Sequence, residues 1–323
     1  MRGLSFLLAL LTMTAAAQQP LDPGTITNLY DAFGKPGAMT KDFGFSCIIE
    51  HQGKVILFDA GSSADIFKHN CEAAGVDLKR VDIAIVSHAH FDHLNGIDYL
   101  LRVNPQVKLY FPRDGFWGAP VPFDATGQEP VVVDSLPMEQ RYFDGGPTKF
   151  TIAQSGRFWG ANIEFVSADK EIMPGVRLIA TSSPYMGYWT KYLGKSFAPG
   201  VFKDEHAHAT AEAKLTELAE LSLSLKTDDG DVLIVGCSHS GVENIVADAK
   251  AFTASSIHLL YGGFHLLPYD RAATNTLVTQ LKVDLGVEQV APAHCTGHLA
   301  FKLLSRAYGD KYRFAGLGEV LRY

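Results

Sequence analysis

The chain has 323 residues, of which 47% are hydrophobic and 20% charged, and its net charge is -7. That length buries a large core as one big domain or two ordinary ones, and the lack of any Lys/Arg block or basic stripe argues against a nucleic-acid partner. The four cysteines, Cys47, Cys71, Cys237 and Cys295, are widely spaced with no CxxC pair, which excludes a disulfide scaffold.

The N-terminus reads MRGLSFLLALLTMTAAAQQPLDPG. Arg2 supplies a positive start, and Leu4 to Met13 is apolar but too short to span a membrane. Ala15, Ala16 and Ala17 fit a small-residue cleavage site. The expectation is a signal peptide over residues 1–17 and a domain over 18–323, periplasmic or secreted, with no integral membrane segment after cleavage. A buried N-terminal helix or a retained anchor is the alternative.

From about residue 26 to 111 the pattern alternates. FGFSCIIEHQGKVILFDAG reads as a hairpin with a polar turn, and its second strand runs out at Asp59. SADIFKHNCEAAG reads as a helix stopped by Gly75, VDIAIVSHAH as a buried strand, NGIDYLLRV as a helix and VKLYFP as a strand. Residues from about 112 to 218 form an irregular block rich in Gly, Pro and aromatics, and only NIEFVSA and GVRLIATS read as clear strands. Phe116, Trp117, Trp159, Tyr185, Tyr188 and Trp189 fall in it, as an insertion that shapes a pocket or as surface loops packed on themselves. Trp117, Tyr185 and Trp189 are the substrate-pocket candidates. Alternation then returns. LSLSLKTDDGDVLIVGCSH is a hairpin, GVENIVADAKAF a helix, SIHLLYGGFHL a strand, RAATNTLVTQLKVDLG a helix, VEQVAPAHCTG a strand and HLAFKLLSRAYG a final helix.

The strands that end in polar residues end in His or Asp. These are Asp59, the run His88, His90, Asp92 and His93, then His239, His265 and His294. In α/β sheets ligands gather at the carboxyl ends of strands, so residues far apart in sequence meet at one edge. His88 and His90 are two apart in an extended segment and reach one cation together. Asp92 and His93, at a helix start, diverge from that pair and suit a second cation roughly 3.5–4 Å away. Imidazole and carboxylate ligands put Zn first, with Fe and Mn open. A buried strand running into four such groups would leave them desolvated and unpaired without a cation. The other histidines, His51, His69, His206, His208, His258 and His298, read as ordinary core or surface residues.

The HAHFDH run resembles the HxHxDH signature of the metallo-β-lactamase superfamily, with ILFDAG before it and a last His near the C-terminus. GCSHSGVENIV, YGGFHL and PAHCTG are similar to the branch named for dihydropterin-ribofuranosylaminobenzene-phosphate synthase-like proteins. The resemblance implies a four-layer αββα sandwich of two mixed sheets flanked by helices. It also implies two divalent metal ions. His88 and His90 would serve the first and Asp92, His93 and His294 the second, with His239 as the third ligand of the first. Such families carry a bridging Asp in a Gly-Asp pair, where this chain has Gly236-Cys237. Cys237 replaces that carboxylate, or His239 or His265 takes a ligand role. Asp59 either orients a histidine or caps the following helix.

No G-x-S-x-G elbow, P-loop or G-x-G-x-x-G is present. The expectation is an exported hydrolase that turns a metal-activated water on an ester, lactone, amide or phosphoester-type small molecule. Asp92 and His265 are its catalytic candidates, for proton transfer or an oxyanion contact. A transferase on a pterin/aminobenzene-ribose-phosphate-type substrate and a non-catalytic metal-binding module are the alternatives. The oligomeric state is not legible.

Overall fold

Side chains that alternate between two covered faces build two sheets. In the hairpin Ser46–His51 and Lys54–Phe58, Cys47, Ile49, Ile56 and Phe58 face one core while Ile48 and Leu57 face another. Both faces are apolar because both are covered, so these strands read as continuous hydrophobic runs. The structure is a computed structural model that describes residues 23–113, 121–124, 149–152, 157–158, 160–183, 218–267 and 269–323.

The first sheet has seven strands, in spatial order Val320–Arg322, Thr25–Tyr30, Ser46–His51, Lys54–Phe58, Ile83–Ile85, Lys108–Pro112 and Ile163–Val166. The second has six, in the order Gln289–Ala293, Ile257–Gly263, Gly230–Val235, Leu218–Thr227, Val176–Ser183 and Lys170–Met173. Val121–Asp124 and Lys149–Ile152 pair separately. Both large sheets are mixed. Lys54–Phe58, Ile83–Ile85 and Lys108–Pro112 run parallel, as do Gly230–Val235, Ile257–Gly263 and Gln289–Ala293, while the hairpins are antiparallel.

One core lies between the sheets, with Phe45, Ile56, Phe58 and Ile85 meeting Leu178, Leu223, Ile234 and Tyr261. A second packs the helices Val242–Thr253, Arg271–Thr279 and His298–Tyr308 on the outer face of the six-stranded sheet. A third packs Ala64–Ala73 and Ile97–Val103 on the other sheet. The layers are therefore helix, sheet, sheet, helix, the αββα sandwich expected.

Several elements differ from their sequence-based expectations. The strand expected through His90 ends at Ile85, because the chain bends at His88 and Ala89 to bring the histidines together. Thr25–Tyr30 and Val320–Arg322 went unread; they pair with each other at the edge that joins the two ends of the domain. Within the block expected to be irregular, the two strands read there stand, Ile163–Val166 extending the first sheet and Val176–Ser183 the second, while Lys170–Met173, Val121–Asp124 and Lys149–Ile152 went unread. Gly96 serves close packing, since a Cβ there would lie 2.0 Å from the Ala60 carbonyl oxygen. Among the described residues no helix is long and apolar enough to cross a membrane.

Candidate metal centre

The parallel strands deliver their carboxyl ends to one edge of the sandwich. Asp59 follows Lys54–Phe58, and the run Ser87 to His93 follows Ile83–Ile85. From the facing sheet Cys237 and His239 follow Gly230–Val235, His265 follows Ile257–Gly263 and His294 follows Gln289–Ala293. Four of these strand-end residues adopt left-handed backbone: Asp59 (φ 57), Ser238 (φ 66), His265 (φ 49) and His294 (φ 48). Non-glycine residues there carry strain, which the surrounding structure must hold in place.

Three overlapping groups of ligand atoms result, the atoms of each lying within 4.8 Å of one another. Asp92, His93, Cys237 and His294 form the first. His88, Cys237 and His239 form the second, and Cys237, His265 and Cys295 the third. His90 stands beside the second group, with its Nδ1 3.0 Å from His88 Nε2 and its ring 4.6 Å from that of His239. His294 Nε2 and His93 Nε2 lie 3.3 and 3.6 Å from Asp92 Oδ2. His93 Nε2 is 3.1 Å from Cys237 Sγ. The helix Phe91–Leu94 sets the divergence expected between the His88–His90 pair and the Asp92–His93 pair.

Asp59 does not cap a helix. Ser63 does so for Ala64–Ala73, through its side chain to Ile66 N. Asp59, fully buried, accepts from Ser87 N (2.7 Å) and Ser87 Oγ (2.7 Å), and its Oδ2 lies 2.7 Å from His93 Nδ1. That contact assigns the proton to His93 Nδ1 and turns the Nε2 lone pair toward Cys237 and Asp92.

Other holding residues were missed in the sequence. Glu220, buried, accepts from His239 N (2.8 Å), Ser240 N (2.6 Å) and Ser240 Oγ (2.6 Å), so it clamps the loop carrying Cys237 and His239. Asp31 accepts from His294 N (3.0 Å) and Asn28 Nδ2 (3.0 Å). Ser87 ties Asp59 to His88, its Oγ lying 2.9 Å from His88 Nδ1. Asp31 sits one residue past the strand Thr25–Tyr30, the same strand-end signal that marks Asp59; Glu220 lies inside a strand and gives no such sign.

At His88, His90 and Asp92 the charge state suits a cation, whereas His294 and Cys237 must give up a proton to bind one. Burial, and then His93, His90, His239 and His294, hold His88 well below the usual imidazole range; burial and then His239 do the same for His90. These rings are therefore neutral, as ligands must be. Burial alone would raise Asp92, but His93, His294 and His90 keep it below the usual carboxylate range. Burial opposes protonation of His294, yet Cys295, Asp92 and Asp31 push it up to about 9. Burial and then Cys295, Asp92 and Glu220 push the Cys237 thiol well up. His294 Nδ1 is buried with no hydrogen-bond partner among the described residues. A buried set of nitrogen, carboxylate and sulfur donors at this spacing fits divalent cations of the Zn type. Cys237 and Cys295 are free cysteines, not a disulfide. Trp117, Tyr185 and Trp189 lie outside the described residues, as do Phe116, Trp159, Tyr188 and residues 1–17.

A two-sheet sandwich with an HxHxDH strand end facing a late histidine defines a metallo-β-lactamase-type protein. Residues 39–181 match the family model of the metallo-beta-lactamase superfamily. Over 305 residues it is 25% identical to the 7,8-dihydropterin-6-methyl-4-(beta-D-ribofuranosyl)-aminobenzene-5'-phosphate synthase of Methanocaldococcus jannaschii, covering 93% of this chain and 95% of that protein. Among solved structures it is similar to a metal-dependent hydrolase of the beta-lactamase superfamily (TM-score 0.61, 24% identity, 92% of this chain and 98% of that one). It also shares its fold with the protein YhfI from Bacillus subtilis (TM-score 0.53, 10% identity, 94% and 100% covered).

Proposed function

We propose that this chain is an exported metal-dependent hydrolase that holds two divalent cations, Zn first, and acts on a small ester, lactone, amide or phosphoester. The observation that carries the reading is the convergence of two donor sets, His88 with His239 and Asp92 with His93 and His294, on either side of Cys237. His90 would complete the first set. Cations held there would supply Lewis acidity and lower the pKa of water to near 7.

The chain's own residues would do the rest. Asp59, Glu220 and Asp31 hold the donors in place before any substrate arrives. His265, its ring 4.3 Å from that of His239, would give a proton to a leaving group. Phe43, Phe91 and Leu267 are exposed apolar side chains at the rim (47%, 62% and 56%). Phe43 lies 4.9 Å, ring to ring, from His294, and Leu267 N donates to the Cys295 carbonyl. A substrate with an apolar or ring-bearing arm beside the scissile group would match that rim.

The test is metal analysis of the purified protein and a panel of ester, lactone, thioester, amide and phosphodiester substrates. His90→Ala combined with Asp92→Asn should remove bound metal and any activity while far-UV circular dichroism stays unchanged. Full metal retention in that variant refutes the site. Bound metal without activity on any panel member refutes the hydrolase and points to a binding module or a transferase. Export rests on residues 1–17 and is checked by N-terminal sequencing of the mature protein, which should start near residue 18.

The likeness to the archaeal synthase over nearly the whole chain favours a second reading, transfer onto a pterin/aminobenzene-ribose-phosphate-type substrate. An exported protein would seldom meet such cytosolic intermediates, which ranks this reading second. Mass analysis of the product separates the two, since hydrolysis adds water and transfer joins two organic parts.

A further inference from the structure

We propose that Cys237 Sγ is the shared donor of the centre, its thiol giving up its proton when a cation binds, so that sulfur rather than a carboxylate joins the two cation positions. This rests on the two-cation reading above and says which atom links them. Cys237 Sγ is the one donor common to all three ligand groups among the described residues. The His88–His239 group and the Asp92–His93–His294 group share nothing else. His93 Nε2, already aimed by Asp59, lies 3.1 Å from the sulfur.

The backbone is built to bring Cys237 there. Gly236 precedes it, where a Cβ would lie 2.3 Å from Ser87 Oγ, so only glycine lets the two strand ends close. Ser238 follows in left-handed conformation (φ 66) and ties its Oγ to the Gly263 carbonyl at 2.7 Å. Glu220 then fixes the next two amides. The turn is therefore held from both sides of the cysteine. Cys295 belongs only to the third group, with His265, and its Sγ faces the Cys237 carbonyl oxygen at 3.6 Å. It supports the loop of Cys237 and is not the bridge.

A thiolate bridge has a consequence for metal choice. Sulfur favours Zn and Co, whereas a carboxylate suits Mn. The centre should thus discriminate against Mn more strongly than an all-nitrogen-and-oxygen centre would.

The experiment loads the full chain with Co(II) and records its absorption together with cobalt content. Wild type should bind about two equivalents and show a near-ultraviolet thiolate-to-cobalt charge-transfer band. Cys295→Ser should keep the band. Cys237→Asp should lose the band, keep bound metal, and lower the Zn-over-Mn affinity ratio at least tenfold. Cobalt bound to wild type without the band overturns the bridge and leaves the hydrolase reading standing. No cobalt bound overturns both. Loss of the band in Cys295→Ser with retention in Cys237→Asp moves the sulfur ligand to Cys295 and overturns the proposal. Because the wild-type spectrum alone decides the first two outcomes, a variant that fails to fold does not protect it.

Discussion

Asp59→Asn is a near-isosteric change that separates geometry from charge at a residue touching no substrate. Asp59 Oδ1 accepts the Ser87 N–H, while Oδ2 accepts Ser87 Oγ and lies 2.7 Å from His93 Nδ1. An asparagine has one acceptor oxygen and one NH2 group. If the oxygen stays on the Ser87 amide, the NH2 faces His93 Nδ1 and drives the ring proton to Nε2, the atom turned toward Cys237. If the amide reverses, its NH2 confronts the Ser87 N–H. Each orientation leaves one buried donor unmatched, at a cost of about 1–3 kcal/mol. Loss of such an orienting partner costs about 10- to 100-fold in metal affinity, or about 1.4–2.7 kcal/mol. The assay is competition with a chromophoric chelator for Zn, alongside urea unfolding with metal removed. The variant should bind 10- to 100-fold more weakly and unfold more easily. Unchanged Zn affinity in a folded Asp59→Asn protein would refute the assignment of His93 Nε2 as a donor.

Three further outcomes are expected. Phe43→Ala and Phe91→Ala should raise KM for a ring-bearing substrate with kcat and metal content held, since both side chains are exposed beside the donors; unchanged KM in both would remove the apolar rim from the substrate site. Gly236→Ala should destabilise the fold by about 1–3 kcal/mol and lower metal content, because its Cβ would lie 2.6 Å from Ser87 Cβ; wild-type stability would show that the strand ends can part. Burial holds His51 below its ordinary pKa of 6.5, and its Nε2 has no partner among the described residues. Its contribution to stability is therefore present above pH 6.5 and is lost as pH falls toward the folded-state value, where the unfolded chain binds the proton more readily. His51→Leu should flatten the stability profile between about pH 7 and 5, read by urea unfolding of the metal-free protein, and an unaltered slope would count against it.

Residue type and order carried the fold and half of the site. Apolar runs that ended in His or Asp marked parallel strands feeding one edge, and the structure brings His88, His90, Asp92, His93, His239 and His294 there. The rest needed tertiary information. Which residue faces both halves depends on how Gly230–Val235 abuts the end of Ile83–Ile85, and that closeness is set by Gly236 against Ser87. The clamps were hidden for the same reason. Glu220 has an ordinary place in a strand, and its value lies in accepting three donors from a loop 19 and 20 residues away. Asp59 looked equally suited to capping a helix until Ser63 took that position. The backbone strain is the clearest case. A left-handed histidine at 265 and another at 294 cannot be read from composition, because such strained backbone persists only where the surrounding structure holds it. The HAHFDH run therefore marks where donor groups gather, while the glycine and the carboxylate clamps around Cys237 fix which donor stands among all of them.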